Sequence, residues 1–521
     1  MGEAQQKSKM PKIIAIVVAV LLVVGGSIAA FVVTNLSGKE QYFLAEKNSI
    51  EKLSEKIEER YEPELKWVEQ SKENPTESTV DLSAEYNLPS GSVGYGQMDP
   101  AQLINNSTIS ITSATDMKNK EMSAKVNADI GGMKIDGVDF YMTADKLMLG
   151  LPFIEELISL NGDDFGTLLH ELDPATFTGE ESIDLESMFE GTLTEEDLEY
   201  FKKEYAEMIY DEIPDDAFES KKESIKVHNE SLDTEKVTMH ITEEKVKNIL
   251  NKVLDKLEKD EKVKELLREQ MAFQQLGGTA VDSEFEQMIS DFESGISEAK
   301  NGLKDFQIPD GLNSTIWIHD DVIAQRDVSI KMGPNKDELV TFTVKGTQLL
   351  KDEKQSFNYD LAYKDSLGEG KLNIAGDLAW KDNKASDSIT LTIEDTKLKY
   401  EGTETLKDNK RDFERTFTLE EPTSGGGSLI WNGSSTYKKD TMNSEHNFSV
   451  ESPAVNQDMF TLNAKVSGKT VDSVDIPEGD NVKDLGKMKA DELRQYFEME
   501  VTPKFQQWLF GMLSEGGGTG F

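Results

Sequence analysis

From Thr315 to Ile476, apolar residues recur at every second position almost without a break. A period of two fits a β-strand with one face buried and the other wet. The apolar faces read Ile316/Ile318, Val328/Ile330/Met332, Val340/Phe342/Val344 and Phe357/Tyr359/Leu361/Tyr363. They continue through Leu372/Ile374, Leu378/Trp380, Ile389/Leu391/Ile393, Phe413/Phe417/Leu419 and Phe448/Val450 to Phe460/Leu462/Ala464/Val466. Gly-Pro-Asn-Lys, Lys-Asp-Glu-Lys, Lys-Asp-Asn-Lys and Ser-Gly-Lys supply the turns. Consecutive strands joined by short turns make an antiparallel meander, and one this wide must curl. Its concave face then needs filling, by helices or by a ligand. Phe357, Tyr359, Tyr363 and Trp380 are the candidate apolar ligand face. Ordinary core packing accounts for them as well, because aromatic side chains dominate cores.

Upstream the pattern is mixed. Val80/Leu82, Ile109/Ile111, Ala124/Val126/Ala128/Ile130 and Met133/Ile135 alternate, with Gly131-Gly132 as a turn and a phase shift at Asp136-Gly137 before Val138/Phe140/Met142. Thr194, with Asp197 three residues on, caps a helix over 195–210. A hairpin is expected to join Ile225/Val227 to Val237/Met239/Ile241 across Ser231–Thr234. Thr242 caps a long helix with an apolar stripe of Val246, Ile249, Leu250, Val253, Leu254 and Leu257; Phe285, Met288, Ile289, Phe292 and Ile296 mark another, and the stretch 274–280 with Gly277-Gly278 is expected to separate the two. A short helix near 490–497 and a second opened by Thr502-Pro503 close the chain, before a Gly-rich tail. The expected class is α+β: a large curved, half-barrel-like antiparallel sheet with inserted amphipathic helices, behind an N-terminal transmembrane helix.

That helix is the uncharged run Ile13–Val33, IIAIVVAVLLVVGGSIAAFVV. Its 21 residues span about 31 Å, enough for the hydrocarbon core. Lys7, Lys9 and Lys12 precede it, which places the N-terminus in the cytoplasm and the rest outside. The alternative is a cleaved signal peptide ending near Ala29-Ala30, against which the run is too long. A charged stalk helix follows over 39–71, with Phe43, Ile50 and Ile57 at heptad spacing. Glu46, Arg60 and Glu64 interrupt that seam and Pro63 breaks the helix. Two readings stay open, a homodimer through this stalk and a helix lying on the globular part. The expected layout is 1–12 cytoplasmic, 13–33 transmembrane, 34–75 stalk, 76–310 mixed, 311–480 meander and 481–521 C-terminal helices.

Chemistry is read mostly by exclusion. With 56 Lys and Arg against 99 Asp and Glu, the net charge of −43 opposes nucleic-acid binding. The absence of cysteine removes disulfides, thiolate metal sites and a Cys nucleophile. Gly468-Lys469-Thr470 resembles the end of a phosphate loop, but Asn463 stands where Gly is required, so it reads as a turn. Ser49-Ile50-Glu51-Lys52 fits a Ser-x-x-Lys pattern without its partner motifs and reads as a solvated helix face. The histidines form no metal spacing; His228 and His240 share a hairpin but fall out of register. No catalytic residue, cofactor or metal site is expected.

The order of charged N-terminus, single span and stalk resembles uncharacterised membrane-anchored extracytoplasmic proteins of Gram-positive bacteria. So do the segments KLMLGLPFIEELISL (146–160) and VDIPEGDNVKDLGKMKADEL (474–493). A curled sheet with helices in its mouth is also similar in outline to bacterial lipoprotein carriers, which hold acyl chains in a half-barrel. Proteins of that type are generally unassigned in function. The absent catalytic constellations, the apolar anchor and the wet-faced sheet lead to the expectation of a single-pass protein of the cell membrane, without enzymatic activity, whose external β-rich region binds or senses an envelope protein or lipid. The alternative is a carrier of hydrophobic ligands, for which the run Phe357, Tyr359, Tyr363 and Trp380 is the sequence support.

Overall fold

A computed structural model describes residues 36–87, 100–190, 194–274, 282–423, 425–478 and 481–516. The apolar run 13–33, residues 1–12 before it, expected to be cytoplasmic, and the Gly-rich end from 517 lie outside the described residues. Among the described residues no helix is long and apolar enough to cross a membrane.

The chain opens with α1 (Gly38–Arg60) and α2 (Glu62–Glu73). Ser37 and Glu40 form a capping box at the start of α1, and the break falls at Tyr61, where Pro63 is accommodated in the first turn of α2. Strands β1 (Thr76–Tyr86), β2 (Thr108–Asp116), β3 (Glu121–Ile130), β4 (Met133–Thr143), β5 (Lys146–Gly150) and β6 (Leu157–Asn161) come next. The helical insertion holds α3 (Glu195–Phe201), a π turn at Lys202–Ala206 and α4 (Glu207–Glu212). After β7 (Phe218–Val227) and β8 (Glu230–Ile241) it resumes with α5 (Glu243–Leu257), α6 (Glu261–Gln274) and α7 (Asp282–Gly302).

The meander then runs through β9 (Leu312–His319), β10 (Val322–Met332), β11 (Val340–Leu350), β12 (Lys354–Lys364), β13 (Glu369–Lys381) and β14 (Lys384–Ile393). It continues with β15 (Thr396–Lys407), β16 (Lys410–Glu420), β17 (Gly427–Tyr437), β18 (Thr441–Glu451) and β19 (Phe460–Thr470). The short β20 (Val482–Asp484), α8 (Ala490–Tyr496) and α9 (Thr502–Gly516) end it. A second π turn, Phe497–Val501, carries α8 into α9 where the sequence suggests two separate helices.

All twenty strands belong to one open sheet. From β7 to β19 each strand pairs with the next, and β19 then pairs antiparallel with β1, Val80 opposite Val466. β1 continues the sheet into β2–β6, so the two β-rich stretches of the sequence share one ladder. β20 adds to β6 in parallel, Val482 opposite Leu157. The sequence segments 146–160 and 474–493 are therefore neighbours in space. Lys221, Lys222 and Lys226 stand on the free edge strand β7, where charge discourages further pairing.

One end of the meander has tight turns in which both central residues take positive φ: Asp320-Asp321, Asp382-Asn383 and Asp408-Asn409. Residues 351–353 and 438–440 turn at this same tight-turn end; the other, the loop end, carries 333–339, 365–368, the two-residue turn Glu394-Asp395, 421–423, 425–426 and 452–459. The phase shift at Gly137 is a bulge on β4: Val126 faces Val138 and Ala128 faces Ile135, with Gly137 at φ +84°.

Three local expectations need correction. The β7–β8 turn is His228-Asn229, at φ 44° and 72°, and residues 231–234 continue the strand, with Ile225 opposite Leu232. Gly468-Lys469-Thr470 ends β19 rather than forming a turn; a Cβ on Gly468 would meet the Trp67 and Met442 side chains. The long helix ends at Leu257, and Asp260 starts a new one by accepting from the Val263 amide at 3.2 Å.

The main core lies between the helices and β8–β10. Tyr42 and Phe43 of α1 enter it with Val246, Ile249, Leu250, Val253 and Leu254 of α5, against Val237, Ile316, Ile330 and Met332. The heptad residues divide: Phe43 is buried, whereas Ile50 and Ile57 face solvent. α1 thus lies on the sheet. Phe43→Ala should cost about 3–5 kcal/mol in urea unfolding, while Ile57→Ala should change stability by less than about 0.5 kcal/mol. Equal, small effects would mean that α1 is a free stalk.

Candidate binding face

Parity along the strands places the apolar residues of β9–β19 on the face that carries α1 and α2. The helix pair crosses this face obliquely. α1 starts near the loop end of β8 and β9, where Lys39 Nζ donates to the Ile213 carbonyl at 2.7 Å and Tyr42 Oη lies 2.6 Å from Ser314 Oγ. By Asn48 it has reached the tight-turn end, donating to the Asp321 carbonyl at 3.1 Å. Ser49, expected on a solvated face, is buried: its Oγ accepts from the Ile323 amide at 2.9 Å and donates to the Ala45 carbonyl. α2 carries the crossing on to Trp67 above Gly468.

The three charges that interrupt the heptad bind the helices to the sheet. Glu46 pairs with Arg326 of β10. Arg60 bridges Asp387 at 2.7 Å and Glu404 at 3.0 Å; Glu64 takes Arg411 on both oxygens, at 2.6 and 3.1 Å. Glu404, whose side chain is 0% exposed, also receives Arg411 at 2.9 Å, Arg415 at 2.6 Å and the Tyr61 hydroxyl at 3.2 Å. Burial pushes the Glu404 carboxyl upward, but Arg60, Arg415 and Arg411 together hold it below the usual carboxylate range. Three guanidinium groups meet three carboxylates there, so the buried cluster is neutral in sum.

The four candidate aromatics all lie on this face, but in different surroundings. Trp380 sits beneath Arg60 and Arg411, 5.6 and 5.9 Å from its ring centre. Tyr359 lies across Gly346 and donates to Gln348 Oε1 at 2.8 Å; Phe357 lies across Gly376. Each ring occupies the space that the opposite glycine's missing side chain leaves open. Tyr363 covers Gly370 at the loop end and is half exposed. Sequence reasoning missed the neighbouring cluster on β16–β18. There Arg415 lies 4.5 Å from the ring centres of both Phe413 and Trp431, and Trp431 stacks on Phe448 at 5.5 Å. Trp431 Nε1 donates to His446 Nδ1 at 3.2 Å, and burial, then Arg415, lowers the His446 pKa.

Coverage ends with the helices. On β14–β16, Ala385, Asp387, Gly402, Glu404, Arg411 and Phe413 are buried near the tight-turn end. On the same face near the loop end Ile393, Leu398, Leu419, Leu429 and Val450 are exposed, Ile393 by 52%. From β12 onward the opposite face is polar, whereas on β7–β11 it holds a small apolar cluster of Val227, Leu232 and Leu349. The polar part holds an open hollow of about 640 Å³ bordered by Thr403, Asp412, Glu414, Asn432, Ser434 and Glu445. Among the described residues no three His, Asp or Glu side chains are grouped to hold a metal ion.

Fold and face define an α+β protein built on one open twenty-stranded sheet, strapped across one face by a helix pair. Residues 4–305 match the family of unknown function DUF6583, and the chain belongs to that family. No curated protein matches it. Among solved structures it is similar to OccK3 (OpdO) of Pseudomonas aeruginosa, at 7% identity and TM-score 0.23 over 76% of this chain and 95% of that one. OccAB2 of Acinetobacter baumannii gives 7% and 0.24 over 76% and 97%; OmpF of Salmonella typhi in complex with daunomycin gives 9% and 0.20 over 76% and 97%. At such TM-scores these likenesses carry no argument.

Glu404→Gln leaves three buried guanidinium groups facing two carboxylates and should cost about 3–5 kcal/mol in urea unfolding. Asp412→Asn, one residue from Arg411 on the wet face, should stay within about 0.5 kcal/mol; comparable losses would deny the cluster its role. His446 titrates lower in the folded than in the unfolded chain, so its contribution is complete above the unfolded pKa and is lost as pH falls through it. Thermal melts should therefore lose stability between about pH 7 and pH 5.5, and His446→Gln should lose less over that interval.

Proposed function

We propose that this is a single-pass, membrane-anchored extracytoplasmic protein, non-enzymatic, whose β-rich region binds or senses a component of the cell envelope. The observation that carries the reading is the junction between the apolar run and the sheet. Val33 ends the run, Ser37 caps α1, and four residue steps bridge at most about 14 Å. α1 is then fixed to the sheet by Tyr42, Glu46, Ser49 and Arg60. A sheet held this way stays within about 14 Å of its anchor, which suits a receptor at the membrane surface better than a domain on a long tether.

A second reading, a carrier of hydrophobic ligands, draws on the exposed apolar residues at the loop end of the helix-bearing face. In both readings the −43 charge keeps the external part soluble.

The full chain should stay in the membrane pellet through alkaline carbonate extraction, and removal of residues 1–35 should release it. A full chain in the soluble fraction, or mature protein beginning near residue 30, would end the anchored reading. Organic extraction of the same detergent-purified chain separates the second: a carrier brings stoichiometric lipid with it, a receptor does not.

A further inference from the structure

The exposed apolar residues of the meander are gathered at one end. Tyr363, Ile393, Leu398, Leu419, Leu429 and Val450 all stand at the loop end of their strands, on the helix-bearing face. Leu367, in the loop between β12 and β13, is 95% exposed. They span β12 to β18, six strand spacings or about 29 Å. At the same end of the sheet, beyond β5, Phe505 and Trp508 of α9 pack on Phe153, at 5.3 and 5.6 Å between ring centres, and Phe510 is 70% exposed. An apolar band of this extent on a soluble surface marks a contact site.

The position of α1 says what lies against it. α1 begins at the loop end, Gly38 beside Phe218 and Tyr42 beside Ser314, with residue 33 of the apolar run no more than about 14 Å from its cap, Ser37. With residues 13–33 in a bilayer, the loop end is the end of the sheet nearest the lipid, and the tight-turn end points away. We propose that this rim rests on the surface of a neutral, zwitterionic bilayer, Leu367 and its apolar neighbours entering the headgroup region. This rests on the anchored reading above. The lipid charge follows from the rim itself, where Asp365, Glu369, Glu394, Asp395, Glu420 and Glu451 outnumber Lys364, Lys397 and Lys399 around the apolar residues and repel an anionic surface.

The chain has no cysteine, so single labels are unambiguous. Leu367→Cys at the rim and Asp440→Cys at the tight-turn end, each in the full chain, take an environment-sensitive fluorophore after reconstitution into phosphatidylcholine liposomes. Brominated phosphatidylcholine should quench the label at position 367 several-fold more than that at 440. Replacing a third of the lipid with phosphatidylglycerol should reduce the difference, and added salt should restore it. A label at 367 quenched no more than at 440, in chain that still resists carbonate, overturns the rim contact and leaves the anchor standing. Chain that fails carbonate retention overturns both.

Discussion

The seating of the helix pair over β14–β16 depends on the Glu404 carboxylate being surrounded by arginines. Two of them, Arg411 and Arg415, come from the next strand; the third, Arg60, comes from a helix 344 residues earlier in the chain. Removing such charges from water costs several kcal/mol per ion, and mutual attraction offsets that only if every partner is in place. The cluster is therefore weak as a source of stability and strong as a constraint. It tolerates one seating of the helix pair: a shift by one turn would leave guanidinium and carboxylate groups buried without their opposites.

That seating divides the sheet. Where the helices lie, the strands show strict alternation between buried and exposed positions; a few residues further along the same strands, the same face carries leucines and isoleucines left uncovered. Cross-strand glycines extend this economy of space, each leaving room for a ring from the adjoining strand, as Gly346 does for Tyr359 and Gly376 for Phe357. The aromatic side chains thus pave the sheet, and what separates Tyr363 from the others is only that the helices do not reach it.

Much of the architecture was legible because it is periodic. The meander, the caps at Thr194 and Thr242 and the break at Pro63 all follow from local chemistry. Two strands of the meander escaped, and for a physical reason. β15 presents Leu398, Tyr400, Gly402 and Glu404 inward, and β17 presents Leu429, Trp431, Gly433 and Ser435. Inward glycines and charges erase the alternation that betrays a strand. The same blindness affected α1, where Glu46 and Arg60 looked like flaws in a heptad and are instead its attachments. Pairing of β1 with β19 left no local trace, because nothing in a strand's own pattern names a partner so distant.

The long separation between Arg60 and its carboxylates also sets an order of events in biosynthesis. Chains grow at about 5–20 residues per second, so Arg60 waits roughly 20–70 s before Glu404 exists to receive it. Throughout that interval the end of α1 at Arg60 has no neutralised seat, and docking that end on half a sheet would bury unpaired charge. The first half of α1 finds its partners earlier, on β9 and β10, so the two halves of the strap have seats that are synthesised at different times.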